Sequence, residues 1–403
     1  MNTTRPTWGY TLPAALLLMA PFDILASLAM DIYLPVVPGM PTLLKTTPSV
    51  IQFTLSLYMV MLGVGQVIFG PISDRIGRRP VLLVGGSVFV VASLGAAWSS
   101  TVAAFVACRL LQAIGASAAL VATFATVRDV YARRPEGVVI YGLFSSILAF
   151  VPALGPLAGA LIAEYFGGMA IFLTLAVLAL PPLLNAAVGW HETRPQEGAK
   201  TRGSVFPILA SPDFWVYTAG FGAGMGTFFV FFSTAPRVLI GQAEYSRIGF
   251  SAAFATVALV MMATTRFATS WVARWGIAGC VARGMALLVG GAVLLTMGEL
   301  FGSPSFLTFI VPMWVMAVGI VFTVSVTANG ALARFDDIAG SAVAFHFCLQ
   351  SLIVGILGTV AVTLLDGDTA WPLICYATTM AALVSIGLAW LRSRDDPAGG
   401  IVA

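Results

Sequence analysis

The sequence predicts an all-α membrane protein: twelve transmembrane helices in two six-helix halves. Three observations carry this. Hydrophobic residues make up 59% of the 403-residue chain and charged residues only 9%. A soluble domain carries about a quarter charged residues, so the outer solvent of this chain must be lipid. Apolar windows of roughly 20 residues, enough to cross a hydrocarbon core, recur near 12–35, 50–70, 81–98, 102–127, 138–163 and 169–189, then near 214–235, 249–270, 279–298, 305–329, 339–364 and 370–391. The longest polar interruption runs from His191 to Asp213. It divides the windows six and six, giving an N-terminal half 1–190, a cytoplasmic linker 191–213 and a C-terminal half 214–403.

Orientation follows from basic residues, which concentrate in cytoplasmic loops. Loops on the side of the N-terminus carry Arg5, Arg75, Arg78, Arg79, Arg128, Arg133, Arg134, Arg194, Lys200, Arg202, Arg274, Arg283, Arg334, Arg392 and Arg394; the opposite loops carry Lys45, Arg237 and Arg247. Both termini are therefore expected in the cytoplasm. An odd number of spans would destroy this sorting. No cleavable leader is expected, because the first apolar run contains Asp23 and lacks a small-residue cleavage site.

Several classes fall away. The net charge is +3 and the basic residues sit in short clusters between apolar stretches, so no nucleic-acid partner is expected. Cys108, Cys280, Cys348 and Cys375 lack metal-ligand spacing, which predicts no metal and no disulfide. No nucleotide-binding loop and no nucleophile with its base is present. The chain is expected not to be an enzyme and to use no cofactor, with an ion gradient as its energy source.

Helix one holds two acids, Asp23 and Asp31, in an otherwise apolar span. A charge at mid-membrane costs about 2.5–3.5 kcal/mol on insertion scales, which marks such residues as functional candidates. At 1.5 Å per residue, Asp23 lies roughly 18 Å and Asp31 about 7 Å below the outer end of the span. Eight residues on an ideal helix amount to a rotation of about 80°, so both acids could border one cavity. Between helices two and three stands Gly70-Pro71-Ile72-Ser73-Asp74-Arg75-Ile76-Gly77-Arg78-Arg79-Pro80. Its glycines permit a tight turn, and Asp74 can accept charge-assisted hydrogen bonds from arginines or a helix N-terminus. The slot between helices eight and nine repeats it weakly: Arg274 and Gly276 match Arg75 and Gly77, while Ala273 replaces Asp74.

Helix four places Arg109, Gln112 and Gly115 on a shared face. Arg109 lies about 10 Å below the outer end of its helix, a depth nearer to Asp31 than to Asp23, though its length permits either pairing. Helix five holds Pro152, Gly155, Pro156 and Gly159, which allow a kink and close helix approach. Helix seven carries the run Phe228 to Phe232, whose spacing sends rings all round the helix, some toward lipid. Trp8 and Tyr10 read as interfacial anchors, Arg266 as a snorkelling side chain, and Asp336 and Asp337 as a solvated turn. His346 is either a hydrogen-bonded core residue or a proton carrier.

The motif from Gly70 to Pro80, the arginine of helix four and the Gly-Pro pair of helix five together resemble the major facilitator superfamily. Within it, the segment Asp31 to Pro35 (DIYLP) resembles drug:proton antiporters of the bicyclomycin and chloramphenicol exporter type, and the resemblance extends over most of the chain. It implies a monomeric, multi-pass protein of the bacterial inner membrane. Such a protein exports phenicol antibiotics, florfenicol and chloramphenicol, in exchange for protons and confers resistance. Membrane lipid, the small-molecule drug and protons are then the partners. The proton-coupling residues would be Asp23, Asp31 and Arg109, with Asp23, Tyr33, Tyr58, Met59, Gln112, Met225 and Phe228 lining the substrate cavity. Soft and aromatic side chains suit variable apolar ligands. Gly70, Asp74, Arg75, Gly77, Arg78, Gly155 and Pro156 would serve the conformational change, and two duplicated halves suit a rocking transporter. A proton-coupled importer of a small metabolite is the rival on the same fold; the Gly-Pro pair argues against it. A lipid-acting enzyme lacks a catalytic cluster, and a channel lacks a filter or charge ring.

Overall fold

A backbone in hydrocarbon must satisfy its own polar groups, and a helix does so within a single segment. The computed structural model describes residues 8–131, 136–194, 206–335 and 339–395; among them every regular element is helical. Arg5, Arg133, Arg134, Lys200, Arg202, Asp336 and Asp337 lie outside the described residues. The chain divides into two compact units, Met1–Thr201 and Arg202–Ala403.

In the first unit α1 spans Leu12–Asp31, α2 Pro48–Ile76, α3 Arg78–Ala97, α4 Val102–Tyr131, α5 Glu136–Phe166 and α6 Ala170–Gly189. After α1 the chain tightens into a 3₁₀ segment, Leu34–Gly39, because Pro35 and Pro38 lack the N–H that would continue an α-helix. In the second unit α7 spans Pro212–Pro236, α8 Arg247–Thr265, α9 Ala268–Phe301 and α10 Val311–Leu332. Helix α11, Ala339–Leu352, continues through a widened π turn at Ile353–Leu357 into Gly358–Leu364, and α12 spans Trp371–Asp395. Among the described residues eleven helices are long and apolar enough to cross a bilayer. The twelfth is α5, 31 residues long, with no charged residue between Glu136 and Glu164.

Four expectations need correction. Gly70 is no turn residue: α2 runs through it and Pro71 to Ile76, and Gly77 alone breaks the backbone, at φ +110°. The turn after α8 comes at Arg266–Phe267, earlier than the hydropathy window suggests, and α9 bends at Gly276 with φ +65°. The rings of Phe228, Phe229, Phe231 and Phe232 are all buried, none facing lipid. Helix α7 is surrounded, and Phe231 stacks on Phe254 and Phe309 at centroid distances of 5.2 and 5.8 Å. Trp8 is 7% exposed, not an interfacial anchor: its indole N–H donates to the Tyr131 hydroxyl and its ring packs edge-on against Trp190. Tyr10 likewise turns inward, donating to the Gly189 carbonyl.

Candidate functional site

The C-terminal turn of α1 gathers most of the proton-coupling and cavity residues predicted in the first unit. The last four carbonyls of a helix have no α-helical partner; Ala29 is one of them and meets a side chain, while Ala26, a turn earlier, takes a second one. The Tyr58 hydroxyl of α2 donates to the Ala26 carbonyl at 2.7 Å, and Arg109 Nη1 of α4 donates to the Ala29 carbonyl at 3.1 Å. Arg109 is fully buried. It also donates to Gln112 Oε1; Gln112 Nε2 donates to Ser93 Oγ at 2.7 Å, and Ser93 to the Phe89 carbonyl. Rings of Tyr33, Tyr58 and Phe172 flank the guanidinium at 5.1, 4.9 and 5.7 Å. Each desolvated cation–π contact contributes about 0.5–2 kcal/mol, and a cation at a helix C-terminus about 0.3–2 kcal/mol. Together these match the cost of placing an arginine at membrane depth.

Arg109 makes an ion pair with neither Asp31 nor Asp23 among the described residues; its Nε and Nη2 have no hydrogen-bond partner. Asp31 is 6% exposed and Asp23 2%, and Asp23 Oδ2 is without a partner. The Gly-Pro helix α5 packs on the same turn. A Cβ on Gly155 would lie 2.8 Å from Asp31 Cβ, and one on Gly159 would collide with the Ile32 carbonyl. Only glycine lets the two backbones approach so closely. Pro156 is buried beside them.

The α2–α3 turn holds a second network. Arg78, 2% exposed, donates Nη1 to Asp74 at 2.5 Å and to Ser73 at 2.8 Å, and Nε to Asp129 of α4 at 2.8 Å. Glu192, just past α6, accepts from the backbone amides of Arg78 and Arg79 at 2.8 and 3.2 Å. It thereby caps α3, whose first amides are otherwise orphaned and favour a negative charge. A Cβ on Gly77 would strike the Glu192 carboxylate. Arg75 contributes its carbonyl, which accepts from Arg194; Arg75's own side chain is exposed.

The remaining candidates are scattered. Met59 and Met225 are half-buried, and Phe228 packs on Phe231 and Phe254. His346 is buried in the second unit with Nδ1 2.9 Å from the Thr218 hydroxyl, among the rings of Phe214, Phe221 and Phe347.

The family model described as Major Facilitator Superfamily matches residues 22–359. The chain belongs to that superfamily. Two of its relatives are named as resistance proteins. It is 49% identical over 386 residues to the chloramphenicol resistance protein of Pseudomonas aeruginosa, covering 95% of this chain and 92% of that protein. It is 27% identical over 365 residues to multidrug resistance protein D of Escherichia coli, covering 87% and 88%. A third relative, the uncharacterized MFS-type transporter YdgK of Bacillus subtilis, is 30% identical over 371 residues, covering 88% and 89%.

Sequence reading of this superfamily member missed Asp129, Glu192 and Ser93. Asp129 carried a signal, being the only acid on a 30-residue helix. Glu192 carried none beyond its place between two polar neighbours, since its partners lie 114 and 113 residues away. Ser93 reads as an ordinary small residue until Gln112 is seen to donate to it.

Proposed function

We propose that the protein exports phenicol antibiotics, chloramphenicol and florfenicol, from the bacterial cytoplasm in exchange for protons, and so confers resistance. The observation that carries this reading is the likeness to the Pseudomonas chloramphenicol resistance protein over 95% of the chain. On this reading the protein is a monomer of the inner membrane with both termini cytoplasmic, and no nucleotide or metal is consumed.

The chemistry assigned to the first unit is exchange at a buried carboxyl. Asp23 makes no ion pair among the described residues and has one oxygen without a partner; a buried carboxylate in that setting costs far more than the neutral acid. Asp23 therefore carries the proton, and a drug taken beside it displaces that proton. Arg109 is held by Ala29 and Gln112, yet keeps two N–H groups unused. Those donors are available to Asp31 once it ionises, so Arg109 and Asp31 form the release step. Chloramphenicol and florfenicol differ by small groups, and a pocket separates such ligands by only about 1–3 kcal/mol, so one cavity serves both.

The test is accumulation of labelled chloramphenicol and florfenicol in a susceptible bacterium lacking its main efflux pumps. Low accumulation that rises when a protonophore is added is the expected result. Accumulation equal to that of cells without the protein would remove phenicols as substrates, and accumulation raised by the gradient would make the protein an importer.

A further inference from the structure

The stretch from the α8–α9 turn through the bend of α9 at Gly276 carries positive charge with no ion pair among the described residues. In the first unit Arg78 is held by Asp74 and Asp129. At the matching place in the second unit Ala273 stands for Asp74, and no acidic residue occurs between Arg247 and Gly298. Arg266, Arg274 and Arg283 are all exposed and make no ion pair among the described residues.

Aromatic rings lie along the same stretch. Phe267 packs on Trp271 at 5.9 Å, Trp271 stacks on Trp275 at 6.3 Å, and Arg283 Cζ sits 4.4 Å above the Trp275 ring. Arg283 also begins an exposed stripe on α9 that continues through Ala286, Gly290, Val293 and Met297. No other charged side chain belongs to that stripe, so it is a hydrocarbon-facing surface. Arg283 lies roughly 10 Å along the helix from Gly276, and its Nη1 reaches back to the Gly279 carbonyl at 3.1 Å. That posture is an arginine snorkelling toward the headgroup layer.

We propose that this stretch binds the headgroup of an anionic phospholipid, with Arg274 and Arg283 on the phosphate and an acyl chain along the α9 stripe. Guanidinium forks suit phosphate oxygens, and tryptophans settle at the headgroup level. A topological role alone requires basic residues in this loop, but not an indole under one of them. The site does not depend on what the protein transports.

The test is titration of the purified, full-length protein with phosphatidylglycerol against a phosphatidylcholine background, reading bound lipid by native mass spectrometry. Arg274→Gln and Arg283→Gln should each weaken phosphatidylglycerol binding about fivefold, whereas Arg392→Gln, an equal change of charge at another exposed position, should not. Excess inorganic phosphate should leave the lipid bound. Equal losses in all three variants, no loss in any, or displacement by phosphate alone would overturn the proposal. Arg274 is exposed beside the bend, so its variant carries the test if Arg283→Gln does not fold.

Discussion

Arg109 donates to the Ala29 carbonyl across 3.1 Å, so a cation of α4 closes the last turn of α1 two residues before Asp31. The position of Asp31 therefore depends on a side chain that makes no ion pair with it among the described residues. Replacing Arg109 with Ala leaves the Ala29 carbonyl and Gln112 Oε1 without the guanidinium in a buried setting, which costs about 1–3 kcal/mol for each unsatisfied group. Arg109→Ala should lose both drug export and several degrees of thermal stability in detergent. Arg109→Lys should recover stability in part but not export, because a single ammonium cannot serve carbonyl, amide and three rings at once. Full export by the lysine variant would contradict this role.

The approach of α5 to the same turn gives a steric prediction. Gly159→Ala drives a methyl group into the Ile32 carbonyl, a backbone atom that cannot step aside cheaply. Export should fall at least tenfold with the protein still present in the membrane. Gly290→Ala, where nothing lies within 4 Å of the added carbon, is the matched control and should export normally. Resistance measured for the two strains side by side separates them.

Glu192 and Gly77 should be energetically coupled. Gly77→Ala suffers from its φ of +110° and from the Glu192 carboxylate against it. Glu192→Ala alone removes a helix cap, at about 0.5–2 kcal/mol. In the double variant the collision is gone, so its loss of thermal stability should be smaller than the sum of the single losses. Strictly additive losses would mean that Glu192 does not press on Gly77.

The helices were legible because lipid imposes one length and one hydrogen-bonding solution on every span. The Asp74–Arg78 pair and the turn at Gly77 were legible too, since both are local along the chain, whereas the partners Asp129 and Glu192 were not. Other features depend on contacts that sequence spacing does not record. Arg109 finds a backbone carbonyl, and every residue has one, so nothing in the sequence singles out Ala29. Trp8 lies in a terminal stretch typical of interfacial anchors, yet Tyr131, 123 residues away, draws its indole inside. The phenylalanine run of α7 was misread because periodicity tells where rings point, not whether neighbouring helices cover every side. Gly70 was assigned to the turn with Gly77, but only a positive φ marks a turn glycine, and φ is invisible in sequence.

The central claim is that Asp23 carries the exchanged proton, and it is tested by drug-driven proton movement in proteoliposomes. Chloramphenicol is added to vesicles containing the purified protein and a pH-sensitive dye, comparing the wild type with Asp23→Asn. The neutral amide fits the same buried site, so the variant should fold and insert. The wild type should move protons opposite to the drug, and Asp23→Asn should move none while thermal stability stays within a few degrees. Undiminished proton movement by a folded Asp23→Asn variant would contradict the assignment and shift the proton to another group.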